Sequence, residues 1–158
     1  MAKLQIITEG DELLRKKSRP VEEINDRICT LLDDMTETMR AANGVGLAAP
    51  QVGVLRRVVV VECEAGEVLE LINPVIVAKE GEQHDLEGCL SVPGKNGITT
   101  RPEKVTVEAL NRKGEKCTYT GEGLLARCFC HEIDHLDGIL YIDHARMLTD
   151  EELEEMFG

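Results

Sequence analysis

The sequence predicts an α+β fold, on three observations. Ile28, Leu31, Leu32, Met35 and Met39 recur at helical spacing near the start of the chain. Short valine-rich and alternating runs fill the middle, and a second helical pattern, 124–136, follows them. Helices and strands therefore fall in blocks, and no repeat, linker or low-complexity tract divides the 158 residues. One domain spanning 1–158 is expected, long enough to bury a core without disulfide staples.

In chain order, 6–19 reads as an extended segment with a short helical turn. It closes at Arg19-Pro20, because the residue before a proline resists helical geometry. Asn25 or Asp26 caps the first long helix, which runs to about Ala42 and stops at Asn43-Gly44. The small-residue run 44–53 fits neither helix nor strand. Four consecutive valines make 58–62 a buried strand. A further strand, 70–78, is interrupted at Asn73-Pro74, which predicts an edge or a bulge there. Segment 83–86 reads as a short strand running into a loop, 87–94, with Gly94-Lys95-Asn96-Gly97 as a turn. The alternating stretches 105–110 and 117–120 flank a hairpin turn at Asn111-Arg112-Lys113-Gly114. Gly123 opens the second long helix, which ends at Asp137-Gly138 with glycine as the C-cap. The segment from Thr149 to Leu153 has a capping-box pattern and predicts a short terminal helix.

Composition excludes several classes of function. Two Tyr, two Phe and no Trp leave little means of stacking on nucleobases. Eighteen Lys and Arg against thirty Asp and Glu give a net charge of −12, which has no general attraction for nucleic acid or an anionic membrane. The first seven residues hold no apolar run of the length an export signal or membrane span requires, which predicts a cytoplasmic address. Cys29, Cys63, Cys89, Cys117, Cys128 and Cys130 fall in apolar periodic segments, and free thiols are expected.

The chemistry concentrates in His131-Glu132-Ile133-Asp134-His135. On a helix, residues four apart lie nearly one above the other, so both imidazoles can grip one metal ion with Glu132 beside them. A catalytic site needs a third protein ligand and an open position. Spacing leaves that ligand open. His144 lies nine residues downstream, Cys89 sits among small residues upstream, and Cys128 shares the helical stripe but would strain a tetrahedron.

Three segments together resemble bacterial peptide deformylases: Gly44-Val45-Gly46-Leu47-Ala48-Ala49-Pro50-Gln51, Glu87-Gly88-Cys89-Leu90-Ser91, and His131-Glu132-Ile133-Asp134-His135-Leu136-Asp137-Gly138. Their order and intervals are also the family's, and the likeness runs from Leu4 to about Tyr141. The resemblance implies antiparallel sheets packed around a central metal-binding helix, with a further long helix near the N-terminus and a short C-terminal one. It implies a metal-dependent amidase that removes the formyl group from the initiator formyl-methionine of nascent polypeptides. Cys89, His131 and His135 would bind one divalent ion, iron(II) in the cell, with zinc, nickel or cobalt as substitutes. Glu132 would be the general acid/base, and the Gln51 amide and the Leu90 N–H would meet the oxyanion. The main chain at Val45 and Gly46 would pair with the substrate, and Val45, Leu124, Leu125 and Cys128 would line the methionine pocket. Arg127 stands at that pocket's edge, where some members carry an apolar residue. Asp134 is a candidate to orient an imidazole, and Glu87 to pair with Arg101 and brace the Cys89 loop. Some members dock on the ribosome through a long basic tail; here the tail is acidic, at Glu151, Glu152, Glu154 and Glu155, so a transient ribosome contact would need another surface. Two rival readings remain: an HExxH peptidase using His144 as third ligand, and a metal- or redox-sensing Cys/His domain.

Overall fold

The computed structural model describes residues 2–157. The chain lays down α1 (Asp26–Ala41), β1 (Gly46–Ala48), β2 (Val58–Val61), β3 (Leu69–Glu80), β4 (Gln83–Cys89) and β5 (Val92–Arg101). It continues with β6 (Lys104–Leu110), β7 (Lys116–Glu122), α2 (Leu124–Leu136), β8 (Arg146–Met147) and α3 (Asp150–Phe157). Two antiparallel sheets result, one in the order β1-β2-β3-β6-β7 and one in the order β4-β5-β8. The fold is α+β.

The run of valines in β2 shows how the layers stack. Strand side chains alternate between faces, so an unbroken apolar run suits a strand covered on both sides. Val58 and Val60 pack with Leu32, Met35 and Met39 of α1. Val59 and Val61 pack with Ala126, Phe129, Ile133 and Leu136 of α2. The opposite side of α2 meets the second sheet through β4 and β5. One helix thus touches both sheets.

The ends of the helices follow their local chemistry. The Asn25 side chain accepts from the Ile28 N–H and satisfies one of the free donors of the first turn of α1. Beyond α2, Gly138 adopts φ +76°, and a Cβ there would lie 2.4 Å from the Arg15 carbonyl oxygen. At α3 the predicted box forms reciprocally: the Thr149 N–H donates to Glu152 and the Glu152 N–H to the Thr149 hydroxyl.

Two local expectations are corrected and one is narrowed. The small-residue run 44–53 holds a strand after all, β1, whose Gly46, Leu47 and Ala48 pair with Val61, Val60 and Val59. The interruption at Asn73 is a bulge on an interior strand, not an edge; Asn73 takes φ +53° and its amide both accepts from the Val21 N–H and donates to the Val21 carbonyl. The predicted loop 87–94 is mostly ladder. Glu87 pairs with Gly97 and Cys89 with Val92, so Pro93 to Asn96 bulge out opposite Gly88. The turn-forming residues produced that bulge inside a continuous strand rather than a strand end. Cys89 therefore sits at the end of β4, with only Leu90 and Ser91 forming the turn.

Candidate metal centre

Two elements deliver the candidate metal ligands to one place. α2 stacks His131 and His135 on successive turns, and the end of β4 brings the Cys89 sulfur across to them. The His131 and His135 Nε2 atoms are 3.3 Å apart, and the Cys89 Sγ is 3.4 Å from the His135 Nε2. A tetrahedral ion with metal–nitrogen and metal–sulfur bonds of about 2.05 and 2.3 Å has edges of roughly 3.3 and 3.6 Å. These two spacings match that figure, and all three donor atoms lie within 4.8 Å of one another. Two imidazole nitrogens and a sulfur converging without an intervening polar group also make a donor set suited to a borderline cation such as iron(II) or zinc. Of the three candidates for third ligand, Cys89 alone joins the two histidines within 4.8 Å. His144 lies 3.8 Å from Asp134 instead, and Cys128 lines the neighbouring cavity.

The imidazole of His131 is held from behind. Its Nδ1 is 2.6 Å from Glu87, leaving Nε2 to face the centre. Glu87 is gripped in turn by Arg101 through Nε at 3.2 Å and Nη2 at 2.8 Å, and the Thr99 hydroxyl donates to it. Burial raises the Glu87 carboxyl, but the hydrogen bonds from His131 and Arg101 outweigh it and hold it well below the usual carboxylate range. The expected pairing of Glu87 with Arg101 is present. Asp134 orients no imidazole of the pair; it accepts from the Arg101 Nη1 at 2.7 Å and so positions the arginine.

Glu132 is buried beside this cluster, and its Oε1 has no hydrogen-bond partner among the described residues. Burial pushes its carboxyl up to about 7, with Glu87 and Asp134 adding to the rise and His131 and Arg101 opposing it. Close approach by Gly46 is what makes room: a Cβ on Gly46 would lie 2.6 Å from the Glu132 Oε2. Gln51 comes from the 3₁₀ turn Ala49–Val52 and is 1% exposed. Its Oε1 accepts from the Ala48 N–H, while its Nε2 donates to Ser91 at 3.0 Å and lies 3.6 Å from the Cys89 sulfur.

A cavity of about 380 Å³ opens over these groups. Val45, Gly46, Gln51, Cys89, Leu90, Leu124, Cys128, His131 and Glu132 all line it, and Val45 and Leu124 are unusually exposed for apolar residues at 40% and 44%. Leu125 does not. It turns toward β7, where a Cβ on Gly121 would lie 2.5 Å from it, because it is one residue and about 100° around the helix from Leu124. Sequence reasoning also missed Leu86, Val92, Lys95 and Asn96, which reach the cavity through the bulge of β5 and the end of β4. Arg127 stands at the rim, bonded to Gln83 at 2.7 Å and Asp85 at 3.1 Å. Cys130 points away, into the core beneath the first sheet.

A helical His-Glu-x-x-His segment, a third soft donor and a buried carboxyl at one cavity are the parts of a metal-dependent hydrolase. The polypeptide deformylase family profile matches residues 3–151. The peptide deformylase of Acetivibrio thermocellus is 61% identical over 155 residues, covering 98% of this chain and 91% of that one. Among solved structures, a peptide deformylase from Legionella pneumophila superposes with a TM-score of 0.88 at 44% identity, covering 98% of this chain and 95% of the other. A Synechococcus elongatus peptide deformylase in complex with actinonin gives 0.88 at 39% identity, covering 96% and 82%. The chain belongs to the polypeptide deformylase family. It is a hydrolase that removes the N-formyl group from nascent peptides, the reaction of a family of metalloenzymes. No helix among the described residues is long and apolar enough to cross a membrane.

Proposed function

We propose that Cys89, His131 and His135 hold one divalent cation and that Glu132 carries the protons of formyl hydrolysis, within one catalytic domain, 1–158. The observation that supports this best is the convergence of the three donors within 4.8 Å, two of their separations at 3.3 and 3.4 Å, with an unpartnered Glu132 oxygen beside them. When bound, the cation supplies Lewis acidity, which makes a water ionisable near neutral pH. Glu132 takes that water's proton and returns it to the departing amine nitrogen, a role suited to a carboxyl raised by burial. As the formyl carbon becomes tetrahedral, its oxygen needs donors. The Gln51 amide donates to Ser91 and to the Cys89 sulfur, and the N–H it holds against that sulfur would turn to the oxyanion together with the Leu90 N–H. Formate and a free methionine amine are the products.

β1 is an edge strand, and its outer side borders the cavity at Val45 and Gly46. An incoming peptide would add to that edge by backbone pairing, which reads the chain without reading its sequence. The methionine side chain would lie against Val45, Leu124 and Cys128. Iron(II) is the ion we expect in the cell, with zinc, nickel or cobalt able to replace it. The enzyme would work in the cytoplasm, in transient contact with ribosomes, and without binding nucleic acid directly, as its charge of −12 favours.

Formate release from formyl-Met-Ala, measured with the metal content of protein purified without oxygen, tests the assignment. Glu132→Gln should retain the metal and lose about 10²- to 10⁴-fold in turnover. Equal hydrolysis by the two proteins would overturn it.

A further inference from the structure

Two cysteines face one another across the wall of the methionine pocket, Cys128 lining it and Cys63 behind it. Cys63, just after β2, places its sulfur 3.4 Å from that of Cys128 on α2. Their surroundings differ. Cys128 is buried and lines the substrate cavity. Cys63 is half-buried and lines a separate surface depression with Arg40, Glu62, Ala65 and Gly66, so a solvent-borne reagent reaches it without entering the active site. The hydrogen bond between the two sulfurs holds the Cys63 thiol below its ordinary value and, with burial, pushes Cys128 up. Because it is the thiol a reagent meets first, Cys63 is the attacking cysteine of the pair, and the buried Cys128 is the resolving thiol.

We propose that Cys63 and Cys128 are a redox modification site, at which a low-molecular-weight disulfide converts the pair to a protein disulfide and reshapes the methionine pocket so that it receives substrate poorly. The Cys63 thiolate attacks one sulfur of the small disulfide, giving a mixed disulfide and releasing one thiol. Cys128 then gives up its proton and attacks the Cys63 sulfur, forming the Cys63–Cys128 bond and releasing the second thiol. Two electrons and two protons pass from the cysteines to the reagent. Closing the gap from 3.4 Å to about 2.05 Å draws the Cys128 sulfur out of the cavity wall. It also ties α2, three residues before His131, to the chain following β2. A pocket altered by about one methylene loses roughly 10- to 200-fold in discrimination, so kcat/KM for formyl-Met-Ala should fall at least about tenfold. The inference rests on Cys128 lining the methionine pocket.

The test treats the metal-loaded enzyme with hydroxyethyl disulfide and maps its peptides without reduction. The expected result is a single cross-link joining the Cys63 and Cys128 peptides, with the loss of two hydrogens and a fall in kcat/KM that dithiothreitol reverses. Cys63→Ser and Cys63→Ala should match the wild type before treatment and keep their activity after it. A mixed disulfide that stops at Cys63, modification of Cys89 instead, or a bridge that leaves kcat/KM unchanged would each overturn the proposal. Turnover of the reduced enzyme reports on the active-site reading and the peptide map on the bridge, so the two fail separately.

Discussion

Glu87 is the residue on which the site's rigidity converges, since it meets His131, Arg101 and Thr99 at once. A buried ion pair adds little net stability, yet breaking one strands a charge. Arg101→Ala should therefore cost about 3–5 kcal/mol, a fall in Tm of roughly 6–20 °C for a chain of this size. Metal affinity should drop about 10- to 100-fold, because the His131 ring loses its brace; competition with a chelator measures it. Unchanged affinity would remove the bracing role. Gly46 makes the complementary prediction at the front of the site. Gly46→Ala places a methyl 2.6 Å from the Glu132 Oε2, so the carboxyl must shift. Turnover should fall at least about tenfold while metal content holds, since small misplacements of a catalytic group are costly. The placement of Glu132 and the two histidines was legible at this scale, because a helix turns spacing directly into geometry. Glu87 was readable only as a partner of Arg101. Its contact with His131 crosses 44 residues, and no periodic pattern records such a distance.

At the scale of elements, legibility followed local regularity. α1 and α2 were placed to within a residue or two because caps and apolar periodicity agree. β1 is only three residues, Gly46, Leu47 and Ala48, and β5 carries Pro93, Gly94, Asn96 and Gly97, so neither shows a strand's composition. Both are strands because tertiary pairing supplies what propensity does not. The connections between elements support two predictions. Gly138 turns the chain beyond α2 at φ +76° against the Arg15 carbonyl, so Gly138→Ala adds both backbone strain and a clash. A loss of about 1–3 kcal/mol is expected in denaturant unfolding. Glu62 fastens the end of β2 to α1 through the Arg40 guanidinium and also accepts from the Gly66 N–H, which holds its carboxyl at about 2 against an ordinary 4.5. Its folded value is the lower one, so this stabilisation is complete above about pH 4.5 and fades as pH falls toward 2. The Tm difference between wild type and Glu62→Gln should close over that window; a difference that widened on acidification would contradict the pairing.

For the whole molecule, the candidate metal centre joins parts that are distant in sequence, since β4 supplies Cys89 and α2 supplies both histidines. An unfolded chain cannot present these three donors together, so a cation held there binds the folded state alone and its affinity adds to folding stability. At a free metal concentration about 1,000 times Kd the gain is about 4.1 kcal/mol, or a Tm rise of roughly 8–16 °C for a protein of this length. Chelation should reverse that rise, and metal return should restore it together with formate release. Cys89→Ala separates this linkage from any general effect of the chelator. The variant keeps the apolar packing on both faces of the first sheet, because Cys89 belongs to neither cluster. Its Tm without metal should stay close to that of the metal-free wild type, while the metal-dependent increment shrinks severely. If Cys89→Ala retained the full increment, the sulfur would not be a ligand, and the convergence of β4 on α2 would need a different explanation.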